Sequence, residues 1–535
     1  MVLCTLNAKY IHASLGLRYL LANMGELRPH TVLREYTLQR NVQEMAQELL
    51  AVFGEPRVGR AQVLGLGVYI WNVVQSTALV RELRVLRPAV KIVLGGPEVS
   101  HETDQQEIIQ LADHVITGWG DISFAALCRA LLHGPRPLMK VIAGEQPPLG
   151  QIALPYAEYN QDDLAHRTIY VEASRGCPFK CEFCLSSLDK TAWAFDADRF
   201  LAALDDLFAR GARRFKFVDR TFNLKIDASL RILLFFLDRL HPATGAGDAT
   251  GPGLFVHFEV IPDHLPQRLK DMIACFPPGV LQFEIGIQSF NVEVQQRISR
   301  RQDNAQTEQN LRWLVGQSNA HLHTDLIFGL PGESLQSFAR GFDRLLQLQP
   351  HEIQLGMLKR LRGTPIRRHT AAHGMVYEDL PPYTVRETAD VSAPDVLRVA
   401  RFARYWDLFA NSGRFQSTLA LLIGSYPDGR SAAEGSASAF FAFLAFSDWL
   451  WLRDGRLHGL SQEQLVDYAY EYLNTHRLLA SDRVREALLA DYLNSGARAR
   501  PAALRQLLQQ HDTPVRPRGS ALTARQHKHL GASLG

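Results

Sequence analysis

Cysteine is scarce, with six in 535 residues, too few and too unevenly spread for a secreted scaffold stapled by disulfides. Neither sign of charge is in excess. Fifty-eight Lys and Arg against 55 Asp and Glu leave a formal net charge of +3, so no global field calls for nucleic acid, and none is expected as a partner. A membrane-spanning run is also missing: the most apolar stretch, Ala437 to Leu452, contains Ser447 and Asp448 and falls short of the roughly 20 residues a spanning helix needs. It reads as a buried core helix, and no membrane contact is expected. The opening MVLCTLNAKY has too little charge and too few apolar residues for a signal peptide and reads as a short buried strand, so a cytoplasmic protein is expected.

What is present is the composition of a soluble globular protein, 46% hydrophobic and 21% charged, at a length that predicts two to four domains of roughly 100–200 residues each. Over residues 1–133, β-rich runs (VLCTL, TVLREYTL, VLGLGVYI, KIVLGG, VITG) alternate with helical patterns. Alternation of this kind predicts an α/β domain with a doubly wound, five-stranded parallel sheet. Gly95 and Gly96 follow its fourth strand directly, where such sheets bind ligands, although tight turns alone would also use them. The Pro-rich stretch 134–168 reads as a connector. A second βα series over 169–379 (TIYVEAS, RRFKFVD, LFVHFEVI, LQFEIGIQ, HLHTDLIFG, EIQLGML) predicts six strands curling into a partial (β/α)6 TIM-like barrel. Residues 380–510 carry helical patterns only and predict a helical C-terminal domain. The basic tail 511–535, rich in Gly, Pro and Ser, is expected to be disordered.

Three of the six cysteines crowd into eight positions, in ASRGCPFKCEFCLSS. Cys177, Cys181 and Cys184 stand at C-x3-C-x2-C spacing, on a loop directly after a predicted strand. An iron–sulfur cube usually takes four cysteines, so three would leave one iron open to a substrate's own donor atoms. A structural zinc site would want a fourth ligand, and neither Cys nor His follows at the usual spacing. Cys4, Cys128 and Cys275 are expected to be buried apolar thiols.

The cysteine loop, with Phe183 before the last Cys, resembles that of the radical S-adenosylmethionine (SAM) superfamily. The resemblance implies a [4Fe-4S] cluster on Cys177, Cys181 and Cys184 whose open iron chelates SAM and cleaves it reductively to a 5′-deoxyadenosyl radical. It extends to later strand ends. Glu259, in LFVHFEVIPD, is implied to contact the ribose of SAM. FEIGIQSFNVEVQQRISR resembles the coproporphyrinogen dehydrogenase-like branch and implies SAM contacts at Gln288 and Arg300. Asp325, in HTDLIFGLPGES, is implied to face the same site. Asp219, in FVDRTFN, replaces the glycine run of many relatives.

The first domain resembles the B12-binding domain of the cobalamin-dependent radical SAM class, with IWN after the third strand and GGPE, holding Gly95 and Gly96, after the fourth. It lacks the D-x-H-x-x-G signature; His12 and Gly16 occupy that loop at another spacing. GWGD at 118–121 stands where relatives usually have G-E-G-E. The resemblance thus implies cobalamin as a third cofactor and methylation or other modification of an inert carbon. The expected partners are an unidentified small-molecule or peptide substrate and an electron donor such as flavodoxin or ferredoxin. Two other readings stay open: a radical SAM rearrangement or oxidation without cobalamin, and a non-catalytic protein with an Fe-S or zinc clip.

Overall fold

The computed structural model describes residues 1–56, 61–240, 253–424, 438–497 and 499–509. The tail expected to be disordered, 511–535, lies outside the described residues. The described residues fall into two compact units, one drawn from Met1–Phe222, Lys359–Arg368 and Glu378–Thr384, the other from Asn223–Leu358, His369–Tyr377 and Val385–Gly535.

In the first unit β1 (Val2–Asn7), β2 (Val32–Thr37), β3 (Val63–Gly67), β4 (Lys91–Gly95), β5 (His114–Thr117) and β6 (Val141–Ala143) form a parallel sheet. Its order is β2-β1-β3-β4-β5-β6. Successive residues of a strand point to opposite faces, and β1 uses both. Val2, Cys4 and Leu6 pack with Met45, Leu49, Leu79 and Leu83 on one side, while Leu3 packs with Leu17, Leu21, Phe124 and Leu127 on the other. Burial on both faces is why the strands read as continuous apolar runs. Five strands were expected and six are found. The sixth, β6, falls inside the expected connector; it is three residues long, close to prolines and at the sheet edge, so it carries almost no period of its own. The connector also holds a helix, Gln161–His166, started by a capping box of Asn160 and Asp163.

The second strand series begins with β7 (Ile169–Val171), β8 (Ser174–Arg175), β9 (Trp193–Ala194) and β10 (Arg214–Phe217), where β7 pairs with β10 in parallel and β8 with β9 antiparallel. In the second unit β11 (Phe255–Val260), β12 (Leu281–Gln288), β13 (His321–Phe328) and β14 (Glu352–Met357) pair in parallel, in chain order. With β7 and β10 of the first unit, these make the six strands expected of the series. On β12 the alternation is strict: Phe283, Ile285 and Ile287 are buried while Gln282, Glu284, Gly286 and Gln288 share the other face.

The region after 380, expected to be helical throughout, also holds a short strand, β16 (Val385–Glu387), paired antiparallel with β15 (Val376–Tyr377); its helices pack on the last βα pair of the second unit. Phe402 and Trp406 of helix Ala393–Trp406, and Phe440 and Phe443 of helix Ala439–Asp454, close on Phe342 of helix Leu335–Leu346 and on one another, with ring centroids 4.7–5.7 Å apart. Asn411 covers part of an exposed edge: its amide accepts from Ile353 N (2.9 Å) and donates to Ile353 O (3.0 Å), acting as one rung of a strand beside β14. Among the described residues no helix is long and apolar enough to cross a membrane. Cys4 and Cys128 are buried as expected, but Cys275 is exposed, because it caps the C-terminal end of helix Gln267–Ala274 on its solvent side.

Glu333 follows the GLPG turn after β13 and is 2% exposed, accepting from Ser289 Oγ at 2.6 Å. Burial pushes its carboxyl up from 4.5 to about 7. The folded chain therefore keeps a proton between about pH 4.5 and 7 that the unfolded chain has lost, and stability from this site falls as pH rises through that window. Glu333→Gln cannot titrate. Urea unfolding of both proteins should show the wild type losing on the order of 3 kcal/mol relative to the variant between about pH 5 and pH 8; an unchanged difference would contradict the assignment.

Candidate active site

The cysteine loop leaves β7 through Glu172 and Ala173 and is fixed at its base before the first Cys. Buried Asp219, at the end of β10, accepts Ala173 N–H at 2.9 Å and Ser174 O–H at 2.5 Å. Desolvation pushes its carboxyl up to about 7, so the residue standing in place of a glycine run is a strut for the loop. Gly176 has φ +81°, and a Cβ there would lie 2.6 Å from Thr191 Oγ1 and 2.7 Å from Ala192 N; only glycine fits this turn. Cys177 N–H donates to Asp189 O at 2.8 Å, and Cys184 N–H to Cys181 O at 3.1 Å. Cys177 and Cys181 are buried and Cys184 is half-buried, with half-buried Phe183 between the last two.

Burial, with Cys184 and Cys181 nearby, pushes the Cys177 thiol up to about 11, so a metal would have to displace its proton on binding. Among the described residues no three His, Cys, Asp or Glu converge on a single ion. A cube asks for something else, one thiolate per iron, and three sulfurs spread along one tight loop fit that demand. Sequence reasoning missed Glu182, between the second and third cysteines of the loop: buried, it accepts Ile366 N–H through its carbonyl (3.0 Å) and pairs with Arg368 through its carboxylate.

The second unit holds the polar residues expected at strand ends. Gly286 is their centre. Arg300 donates from Nη2 to Gly286 O and from Nε to Gln302 Oε1 at 3.0 Å. The Gln288 side chain folds back over Gly286, where a Cβ would lie 2.3 Å from Nε2, and Asp325 stands opposite Gly286 in the β12–β13 register. Glu259 lies one strand away on β11, opposite Glu284. Gln288 carries two anomalies: φ is +69°, rare for a residue with a Cβ, and its Oε1 is buried without a hydrogen-bond partner among the described residues. Strain and an orphaned acceptor together cost a few kcal/mol, and they point to a ligand donor at this place. Asp325 contacts His323 Nε2 at 3.4 Å; that carboxylate raises the affinity of His323 for a proton against the opposing effect of burial.

The third element is a cavity of about 290 Å³ at the C-terminal ends of β3, β4 and β5. Its wall includes Gly16, Gly65, Gly67, Gly95, Gly96, Gly118 and Gly120, so backbone faces the space. Gly96 has φ +107°, and a Cβ there would sit 2.4 Å from Val68 O, whereas one on Gly95 would meet nothing nearer than 3.8 Å. Gly96 thus makes the turn and Gly95 opens the cavity. His12 is not part of the wall; its Nδ1 lies 2.7 Å from Tyr170 Oη. In IWN, buried Asn72 ties β1 to β3 by donating to Leu6 O and Gly67 O, both at 3.1 Å, and is structural. Trp119, Asp121, Glu172 and Arg175 form the polar end of the cavity, and apart from the departure at GWGD no sequence signal marked them.

Three family models match: the B12 binding domain over 1–128, the Radical SAM superfamily over 171–345, and a protein of unknown function, DUF4080, over 371–528. Among curated proteins the chain is 25% identical over 334 residues to 2-(S-pantetheinyl)-carbapenam-3-carboxylate methyltransferase of Streptantibioticus cattleyicolor, covering 57% of this chain and 47% of that protein. It is also 25% identical over 350 residues to the cobalamin-dependent radical SAM methyltransferase TokK of Streptomyces tokunonensis, covering 59% and 49%. The chain spans about half the length of these relatives. Among solved structures, that of the apo, cobalamin-dependent S-adenosylmethionine radical enzyme OxsB shares the fold, with a TM-score of 0.59 at 14% identity over 95% of this chain and 83% of that one. A B12 binding domain followed by a radical SAM domain makes this chain a member of the B12-binding-domain-containing radical SAM proteins, with a C-terminal domain of the DUF4080 kind.

Proposed function

We propose that the chain is a cobalamin-dependent radical SAM enzyme of the methyltransferase type, acting on an unactivated carbon of a small-molecule substrate. One observation carries the reading: the three-cysteine loop and the glycine-walled cavity are built on the same compact unit, and Arg175, two residues before Cys177, lines that cavity. When bound, the [4Fe-4S] cluster and cobalamin supply, respectively, the electron that cleaves SAM to a 5′-deoxyadenosyl radical and the methyl group that is transferred.

The chain's own residues hold and orient these groups. Cys177, Cys181 and Cys184 would hold the cluster through three thiolates. On the second unit, Arg300 presents a guanidinium fork suited to a carboxylate. Gln288 Oε1 would accept the hydrogen bond it lacks among the described residues, Glu259 would take the ribose hydroxyls, and Asp325 would add a further acceptor. The backbone at Gly95 and Gly96 admits the flat face of a corrinoid. A one-electron donor of the flavodoxin or ferredoxin type and a cytosolic location complete the proposal.

Anaerobically reconstituted, dithionite-reduced protein given SAM and methylcobalamin should release 5′-deoxyadenosine, and with a methyl acceptor S-adenosylhomocysteine as well; a triple Ala variant at Cys177, Cys181 and Cys184 should release no 5′-deoxyadenosine. 5′-Deoxyadenosine without S-adenosylhomocysteine across a panel of acceptors would move the chain to cobalamin-independent radical chemistry, and equal release by the Ala variant would refute the cluster. Gly95→Leu tests the cavity separately. Its side chain would enter open space and not the core, so the melting temperature should stay within a few degrees while hydroxocobalamin binding, followed by absorbance titration, is lost; unchanged binding would place the corrinoid elsewhere.

A further inference from the structure

GWGD does more than close the cavity. The guanidinium of Arg175 donates to both carboxylate oxygens of Asp121 (2.8 and 3.0 Å) and, through Nε, to Glu172 Oε1 at 2.7 Å. It lies over the rings of Tyr19 and Trp119, with its Cζ 4.4 and 4.9 Å from their centroids. Trp119 reaches the far side of the cysteine loop, where its Nε1–H donates to Asp189 Oδ2 at 2.8 Å. The carbonyl of the same Asp189 accepts Cys177 N–H at 2.8 Å. The turn after β5 therefore grips the cysteine loop at its entry, through Arg175, and at its exit, through Asp189.

Both grips are made from the cavity wall, since Trp119, Asp121, Glu172 and Arg175 all line it. The ion pair is nearly dry, with side-chain exposures of 12% for Arg175 and 6% for Asp121. A bidentate pair in such surroundings does not stretch cheaply, because separating its partners leaves a buried charge unmatched. A ligand that seats against Trp119 and Asp121 thus has two stiff connections to the cysteine loop.

We propose that Trp119 and Asp121 are positioning residues that transmit occupancy of the glycine-walled cavity to the cluster loop, through Arg175 and Asp189. The proposal rests on the reading that the cavity takes a corrinoid and the loop a cluster. It assigns a role to the positions where this chain departs from the usual G-E-G-E: a Trp in place of the first Glu supplies the indole N–H that reaches Asp189.

The test is amide hydrogen exchange in Cys181–Thr191, a segment outside the cavity wall, on anaerobic, cluster-loaded full-length protein with and without hydroxocobalamin. Hydroxocobalamin binding is measured in parallel by absorbance. In the wild type, bound hydroxocobalamin should slow exchange there about fivefold or more. Trp119→Phe, which keeps a ring beside Arg175 and loses only the donor to Asp189, and Asp121→Asn should bind hydroxocobalamin with that response largely lost. Unchanged exchange in the wild type despite binding, or a full response in both variants, would overturn the relay alone. Loss of binding in both variants would make these residues part of the ligand's own grip and also overturn it. Failure of the wild type to bind hydroxocobalamin would sink the corrinoid reading and the relay with it.

Discussion

One guanidinium and two carboxylates, buried together at Arg175, Asp121 and Glu172, set the terms for the first unit. Such a group is stable only if every member is matched, and moving one member strands the others. Arg175 ends β8 and opens the cysteine loop, Asp121 follows β5 and Glu172 follows β7, so the ion group fixes strand ends of three sheets to one point. Burial pushes the Glu172 carboxyl up, against the pull of Arg175, which adds a cost that the Arg175 contacts offset. Asp219 supplies the second fixed point from β10. Between these anchors the loop has little freedom before a metal arrives, which reduces the ordering cost of assembling a cluster on it.

The second unit uses another device. Its strand-end groups, Gln288, Arg300 and Asp325, are gathered around a glycine whose carbonyl Arg300 holds and whose missing Cβ gives Gln288 its space. The left-handed backbone of Gln288 and its oxygen, which lacks a partner among the described residues, are local costs. Costs of that kind persist where a ligand repays them. Away from the strand ends, Asn411 pairs with the edge of β14, and the aromatic cluster around Phe342 joins the C-terminal helices to the last helix of the strand series.

Most of this architecture was legible in the amino-acid sequence, because apolar strands buried on both faces and helices between them leave a strong periodic trace. The C-x3-C-x2-C run was legible for a different reason: few structures other than a metal site need three thiols so close together. The missed features share a cause, which is that they depend on contacts distant in sequence. Val141–Ala143 is a strand only because β5 offers it an edge. His12 sat in a suggestive loop, but its partner is Tyr170, 158 residues away. Trp119 and Asp121 read as an odd variant of a motif until their partners, Asp189 and Arg175, were in place. Cys275 was expected inside from its apolar neighbours, and the end of its helix turns it outward.

The central claim is that one chain carries two built sites, a three-thiol cluster loop and a glycine-walled corrinoid cavity, held together by buried contacts. Metal analysis tests it most directly. After anaerobic reconstitution with iron and sulfide, exposure to hydroxocobalamin and desalting, the chain should retain about four irons, about four sulfides and about one cobalt. About one zinc with no iron, or iron and sulfide with no retained cobalt, would contradict the account.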